Sequence, residues 1–114
     1  MSSIPSAPGD VQFGLIVEFQ VKPGCLEEFN ALIAINAAAS VNNEATCSQF
    51  DVLHDADDPH HVVLYEIYDD LAAFQNTHMA AEHTKTFLAA AKSLVLSQKA
   101  QRLMRYAANS KSKA

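Results

Sequence analysis

The clearest pattern in the chain lies between residues 62 and 83. VVLYEIY (62–68) is a run of β-branched and aromatic residues, and alternation along a strand puts Val62, Leu64, Glu66 and Tyr68 on one face and Val63, Tyr65 and Ile67 on the other. Both faces are largely apolar, so both are expected to be covered. Asp69 and Asp70 end the run, and their side-chain oxygens suit the start of a helix. From there Leu71, Phe74, His78 and Ala81 recur at helical spacing, which places His78 on the buried stripe. A single helix from Asp70 to Gln98 would run about 43 Å at the helical rise, against about 23 Å for the strand it packs on. The pattern therefore predicts a break, and Asn76 and Thr77 are the expected place. A second stripe of Ala80, His83, Phe87, Ala91 and Leu94 follows, with His83 inward.

The remaining elements support that corner. Strand one is predicted over 13–21, with Leu15, Val17, Phe19 and Val21 opposed to Ile16, Glu18 and Gln20, and Lys22-Pro23-Gly24 turns the chain. A helix over 25–42 carries the stripe Leu26, Phe29, Ile33, Asn36 or Ala37, and Ser40. Asn42, Asn43 and Glu44 read as a polar loop, strand two as 48–54, the acidic stretch 55–59 as a tight turn, and strand four as 99–106. The order β-α-β-β-α-β predicts an α+β, ferredoxin-like fold with a four-stranded antiparallel sheet and helices on one face. Residues 1–11, with two prolines, read as a loose tail and 107–114 as a polar one, leaving 12–106 as one domain.

Hydrophobic residues make up 49% of the 114, a high share for so small a core. That surplus points to a homodimer that buries the open sheet face. A net charge of −5 argues against nucleic acid. No apolar run is long enough to span a bilayer, and MSSIPSAPGD lacks a signal peptide's features. Cys25 and Cys47 do not form a disulfide framework, so a reducing, cytoplasmic setting is expected. All 13 acidic residues lie at or before Glu82, and seven of the eight basic ones follow it. Either the two halves complement each other, or Lys99, Arg102 and Arg105 build an anion site near the last strand.

Candidate chemistry sits on apolar faces. A buried histidine such as His78 suits a general base, because burial lowers its pKa and keeps it neutral; a core imidazole bonded to a backbone carbonyl is the bland alternative. Asn36, amid apolar neighbours, needs a hydrogen-bond partner from the sheet, water or a substrate. Glu18 and Glu66, each mid-strand, read as a structural polar pair or dimer contact, or as acids of raised pKa beside a cavity. His54, His60 and His61 flank the acidic turn, but their spacing is not that of a zinc site, and no metal is predicted.

Particular strings then carry a resemblance: VKPGCLEEF at 21–29, ASVNNEATCSQFDVLHD at 39–55, LYEIYDDLAAFQNTH at 64–78, and His83 five residues beyond His78. In order and spacing they resemble the antibiotic biosynthesis monooxygenase family of small dimeric α+β barrels, over residues 12–106. Two branches are most similar. One oxidises phenols or hydroquinones with oxygen and no cofactor; the other is the isomerase of a phosphorylated autoinducer-2 dione. The haem-degrading branch has a tryptophan and a second-helix histidine where this chain has Tyr68 and Leu88, so haem degradation is not implied. Ala45-Thr46 also replaces the family's Pro-Gly before the cysteine of strand two.

The resemblance implies a pocket between sheet and helices with His78 as base, Asn36 or Tyr68 holding a developing anion, and Phe50 and His83 beside the substrate. Tyr65 and Glu66 are neighbours whose facing the pattern leaves open. The leading expectation is a cofactor-independent monooxygenase acting on a small aromatic or quinol. The alternatives are the dione isomerase and a dimeric ligand-binding module without chemistry.

Overall fold

The computed structural model describes residues 11–111. Four strands, β1 (Gln12–Val21), β2 (Cys47–His54), β3 (His61–Tyr68) and β4 (Val95–Arg105), form one antiparallel sheet in the order β2-β3-β1-β4. Helices α1 (Leu26–Asn43) and α2 (Glu82–Ala91) complete the ferredoxin-like α+β arrangement expected from the pattern. Of the predicted tails, residues 1–10 and 112–114 lie outside the described residues, and 107–111 carry no regular structure.

The period of two decides β1: Phe13, Leu15, Val17, Phe19 and Val21 are buried toward the helices, while Ile16, Glu18 and Gln20 are only half-buried on the other face. Gly24 closes the following turn at φ +82°, a conformation that side chains resist. On α1 the buried positions are Phe29, Ile33, Asn36, Ala37 and Ser40, and on α2 they are Thr84, Phe87 and Ala91. Phe19, Phe29 and Phe87 meet edge-on, with centroids 5.1 to 6.0 Å apart, and this aromatic knot pins both helices to the sheet.

The segment between β3 and α2 departs from the predicted geometry in an informative way. Asp70 does start the turn, its Oδ1 accepting from the Ala73 N–H at 2.7 Å. Residues Ala73–His78 then form a π-helical turn, with the Met79 N–H donating to the Phe74 carbonyl at 3.0 Å. In an α-helix Ala73 and His78 would sit about 140° apart around the axis; here both are buried. The break falls at 79–81, where Ala81 is extended, and not at Asn76 and Thr77, which are exposed within the π turn. Leu71 is exposed, and on the second stripe Phe87, Ala91 and Leu94 are buried as expected, with Thr84 buried beside them and His83 half-buried at the flank.

A second correction concerns β4, which begins at Val95 and not at Lys99. The run Leu94-Val95-Leu96 fits either period. Pairing decides it: the Lys22 N–H donates to the Leu94 carbonyl at 2.9 Å, and Val95 aligns with Val21.

The sheet's other face has no helix over it. Ile16, Val63, Tyr65 and Leu103 are half-buried there, around Gly14. No helix of the described residues is long and apolar enough to cross a membrane, and both cysteines are free.

Candidate functional site

Between the inner sheet face and the helices lies a cavity of about 230 Å³. Its walls are chiefly apolar, with Val17, Phe50, Leu64, Phe74 and Phe87 among them. Polar side chains enter at few points: Asn36 from α1, Glu66 from β3, His78 from the π turn, Thr84 from α2, and Gln98 and Arg102 along β4.

His78 is the centre of this arrangement. Its ring packs against Tyr68 (centroids 4.9 Å), Phe74 (5.9 Å) and Phe50 (6.1 Å), and its side chain is 5% exposed. Nδ1 lies 2.9 and 3.2 Å from the two oxygens of Glu44. A carboxylate oxygen accepts, so Nδ1 carries the proton and donates it. Nε2 has no hydrogen-bond partner among the described residues; the closest acid, Glu66 Oε1, stands at 3.8 Å, beyond bonding range. Burial pushes the His78 pKa below the ordinary imidazole range, and the bond to Glu44 opposes this only in part. The result is a neutral ring with its lone pair on Nε2, facing the cavity.

Glu44 also accepts a short hydrogen bond from His83 Nε2, so one buried carboxylate orients two imidazoles. His83 is more exposed than His78, 16% against 5%, and stands on the solvent side of the carboxylate. On the cavity side, Tyr68 donates its hydroxyl proton to Glu66 Oε1 at 2.5 Å. Burial pushes Glu66 up to about 7, helped by the charge of Glu44, so near neutral pH it exchanges a proton readily. Burial, with Glu66 beside it, raises Tyr68 far above the ordinary phenol range, and burial raises Cys47 to about 11; neither ionises at neutral pH.

A family profile described as antibiotic biosynthesis monooxygenase matches residues 12–95. The chain belongs to that family. Among solved structures, a Pseudomonas aeruginosa protein is 28% identical with a TM-score of 0.78, over 86% of this chain and 97% of its own. A candidate antibiotic biosynthesis monooxygenase from Nitrosomonas europaea is 27% identical with a TM-score of 0.75, over 80% of this chain and 95% of its own. A conserved Methanosarcina mazei protein shares the fold alone, at 17% identity and a TM-score of 0.76, over 82% of this chain and 91% of its own. No curated protein matches the chain.

For this member of the antibiotic biosynthesis monooxygenases, the structure places the sequence candidates as follows. Asn36, Phe50, Glu66 and His78 line the cavity together. Tyr68 points to the same side but is fully covered and reaches the site through Glu66. His83 lies one carboxylate away from the cavity, bound to Glu44. Tyr65 is on the opposite sheet face, as alternation requires once Glu66 points inward. Glu18 and Glu66 do not pair; Glu18 lies on the open face with His61 at 2.9 Å and Lys99 at 3.5 Å. Of the hairpin histidines, His61 bonds Asp55 and Glu18, His54 bonds Asn30, and His60 stands 3.9 Å from Asp58.

Sequence reasoning missed Glu44. The signal was present, because Glu44 continues the α1 stripe four residues beyond Ser40, and its N–H still donates to the Ser40 carbonyl at 3.1 Å. Reading Asn42-Asn43-Glu44 as a polar loop hid it.

Glu44, His78 and His83 are also the residues that could hold a divalent cation, their ligand atoms lying within 4.8 Å of one another. Tetrahedral zinc needs ligand atoms about 3.3 Å apart. His83 Nε2 and Glu44 Oε2 are closer than that, so a cation would have to displace two protons and spread the groups. As it stands, the trio is a hydrogen-bonded relay.

The raised pKa of Glu66 makes stability depend on pH. A glutamate at 4.5 when unfolded and about 7 when folded favours the folded state fully below the lower value, and this contribution is lost as pH rises through the upper one. His78, with its lowered pKa, works the other way, so the comparison needed is wild type against Glu66→Gln. Urea unfolding at pH 5 and pH 8 should show the wild type losing about 3 kcal/mol relative to the variant. A difference that does not vary with pH would show that Glu66 is not held protonated.

Proposed function

We propose that this protein oxygenates a small phenol or hydroquinone with O2, using no bound metal or organic cofactor, with His78 as general base. One observation carries this reading: two buried acceptors of the cavity lining, Nε2 of His78 and Oδ1 of Asn36, receive no hydrogen bond from the described residues. Nε2 of His78 offers a lone pair. Asn36 is 3% exposed, and its Oδ1 has no partner. Leaving a buried acceptor unmade costs on the order of 1–3 kcal/mol, and a substrate hydroxyl would satisfy it. The phosphate of the dione calls for several cations, whereas Arg102 is the one Lys or Arg lining the cavity among the described residues. The mostly apolar chamber with its two unpaired acceptors therefore favours a quinol over the phosphorylated dione, and supports chemistry over a sealed ligand-binding module.

The steps follow from the geometry. The substrate O–H donates to Nε2 of His78, and its proton moves to the ring while the Nδ1–H bond to Glu44 stabilises the imidazolium. The resulting phenolate is electron-rich enough to reduce O2. One oxygen atom bonds to a ring carbon, which gives up its hydrogen, and the other leaves as water, so phenol plus O2 becomes quinone plus water. Glu66, pushed by burial up to about 7, can supply a proton to the departing oxygen. The proton taken up by His78 and the hydrogen given up by the ring carbon both end in that water, while Glu44, itself bonded to His83, holds the His78 ring in place throughout.

We also propose that the chain works as a homodimer in the cytoplasm. The half-buried apolar side chains Ile16, Val63, Tyr65 and Leu103 around Gly14 support a second copy against the open face. The free cysteines fit a reducing compartment.

Oxygen uptake with menadiol, measured against the enzyme-free rate, tests the chemistry. Wild type should consume O2, and His78→Ala should lose on the order of a hundredfold or more. Uptake equal to background, or unchanged in His78→Ala, would refute the assignment. For the assembly, light scattering should return twice the chain mass, and Tyr65→Arg should return the mass of one chain; a monomeric wild type would contradict the interface.

A further inference from the structure

The basic residues of β4 separate onto two faces. Lys99 and Arg105 are on the open face, where Lys99 Nζ stands 3.5 Å from Glu18 and Arg105 donates to Gln12 Oε1 at 3.2 Å. Arg102 is on the cavity face, exposed to solvent at its border, and it has no ion-pair or side-chain hydrogen-bond partner among the described residues. Leu15 of β1 aligns with Glu66 of β3 on one side and with Arg102 of β4 on the other. The three form a row across the sheet, and two strand spacings put the Glu66 and Arg102 backbones about 10 Å apart. A substrate ring lying over Leu15 would have its reacting hydroxyl at Glu66, His78 and Asn36, and its far edge within reach of the guanidinium.

Arg102 also borders a second, shallower apolar depression with Phe13, Leu71 and Met104, so a substituent bound there has room to leave the cavity. A guanidinium with five donors and no protein acceptor is matched by a carboxylate, which it can hold through two parallel hydrogen bonds. The unpartnered Oδ1 of Asn36, in the same chamber, is a place where a ligand's hydroxyl belongs.

We propose that Arg102 is an anion subsite of the cavity, and that the substrates preferred are hydroxylated aromatics carrying one acidic group, a carboxylate above all. This rests on the reading of the cavity as a quinol site and narrows it to aromatic hydroxy acids. Cavity and subsite divide the work: His78 and Asn36 engage the hydroxyl, while Arg102 touches only the acid and sets specificity.

A matched pair of probes tests this: 2,5-dihydroxyphenylacetate and methylhydroquinone, which share a ring and differ by the carboxylate. Their affinities are measured anaerobically by calorimetry on wild type, Arg102→Gln and Arg102→Lys. Wild type should bind the acid roughly ten- to a hundredfold more tightly than methylhydroquinone, the span of one charge-assisted hydrogen-bonded contact. Arg102→Gln should abolish that preference, Arg102→Lys should keep part of it, and added salt should erode it. Equal affinities in wild type, no binding of either probe, or a preference that survives in Arg102→Gln would each overturn the subsite. Oxygen uptake with methylhydroquinone reports on the reaction separately. Uptake without acid preference removes the subsite and leaves the reaction standing; acid preference without uptake does the opposite.

Discussion

A carboxylate buried beside two imidazoles is the constraint around which the rest of the molecule is arranged. Removing the Glu44 charge from water is costly unless hydrogen bonds replace the lost hydration. His78 Nδ1 and His83 Nε2 supply them, from the π turn and from α2. To make this meeting possible, α1 must run its inward stripe to its last turn, the π turn must bring His78 inward, and α2 must start where His83 reaches the same oxygen. The two acids flanking His78 then take opposite parts. Glu44 fixes the ring's proton on Nδ1, and Glu66, on the other side with Tyr68 bonded to it, is pushed by burial toward the protonated form. Differing surroundings for two carboxylates beside one base are how a protein obtains acid and base functions near neutral pH.

Much of the fold was legible because its elements follow strict periods. The alternation of Phe13 to Val21 and the two-faced run of 62–68 gave the strands and their facing, and Glu66 fell on the inner face as that alternation required. Helical spacing found Phe29, Ile33, Asn36 and Phe87 as inward positions. The misplacements share a cause. Residues 71–84 and 92–98 contain segments where more than one period fits, and a π turn has no propensity of its own: it arises because tertiary packing of Ala73 and His78 outweighs regular helix geometry. Likewise Leu94-Val95-Leu96 joins β4 only because the end of β1 offers it a pairing partner.

The site was legible in part, for a related reason. Residue type and stripe position are enough to place His78 and Asn36 in an apolar chamber, and both line it. Which groups bond to one another is a long-range fact. Glu44 and His78 are 34 residues apart, and nothing local to the polar string 42–44 announces the contact. His83 lies half-buried on a helix flank, where stripe position alone does not decide between the cavity and the Glu44 carboxylate. Of the two possibilities left by the charge asymmetry, Lys99 meets Glu18 as complementary halves would, and the three basic residues do not form one anion site, because Lys99 and Arg105 lie on the open face and Arg102 on the other.

The most direct test of this account is the protonation state of the His78 ring, read by ¹⁵N NMR of the imidazole nitrogens across a pH titration. Held by Glu44 and buried, the ring should be neutral at pH 7 with its proton on Nδ1 and an unprotonated Nε2, and its midpoint should lie below the ordinary value of about 6.5. Glu44→Gln should change the tautomer balance. A ring that is cationic at pH 7, or neutral with its proton on Nε2, would contradict the arrangement from which the base, the relay and the substrate hydroxyl site are all derived.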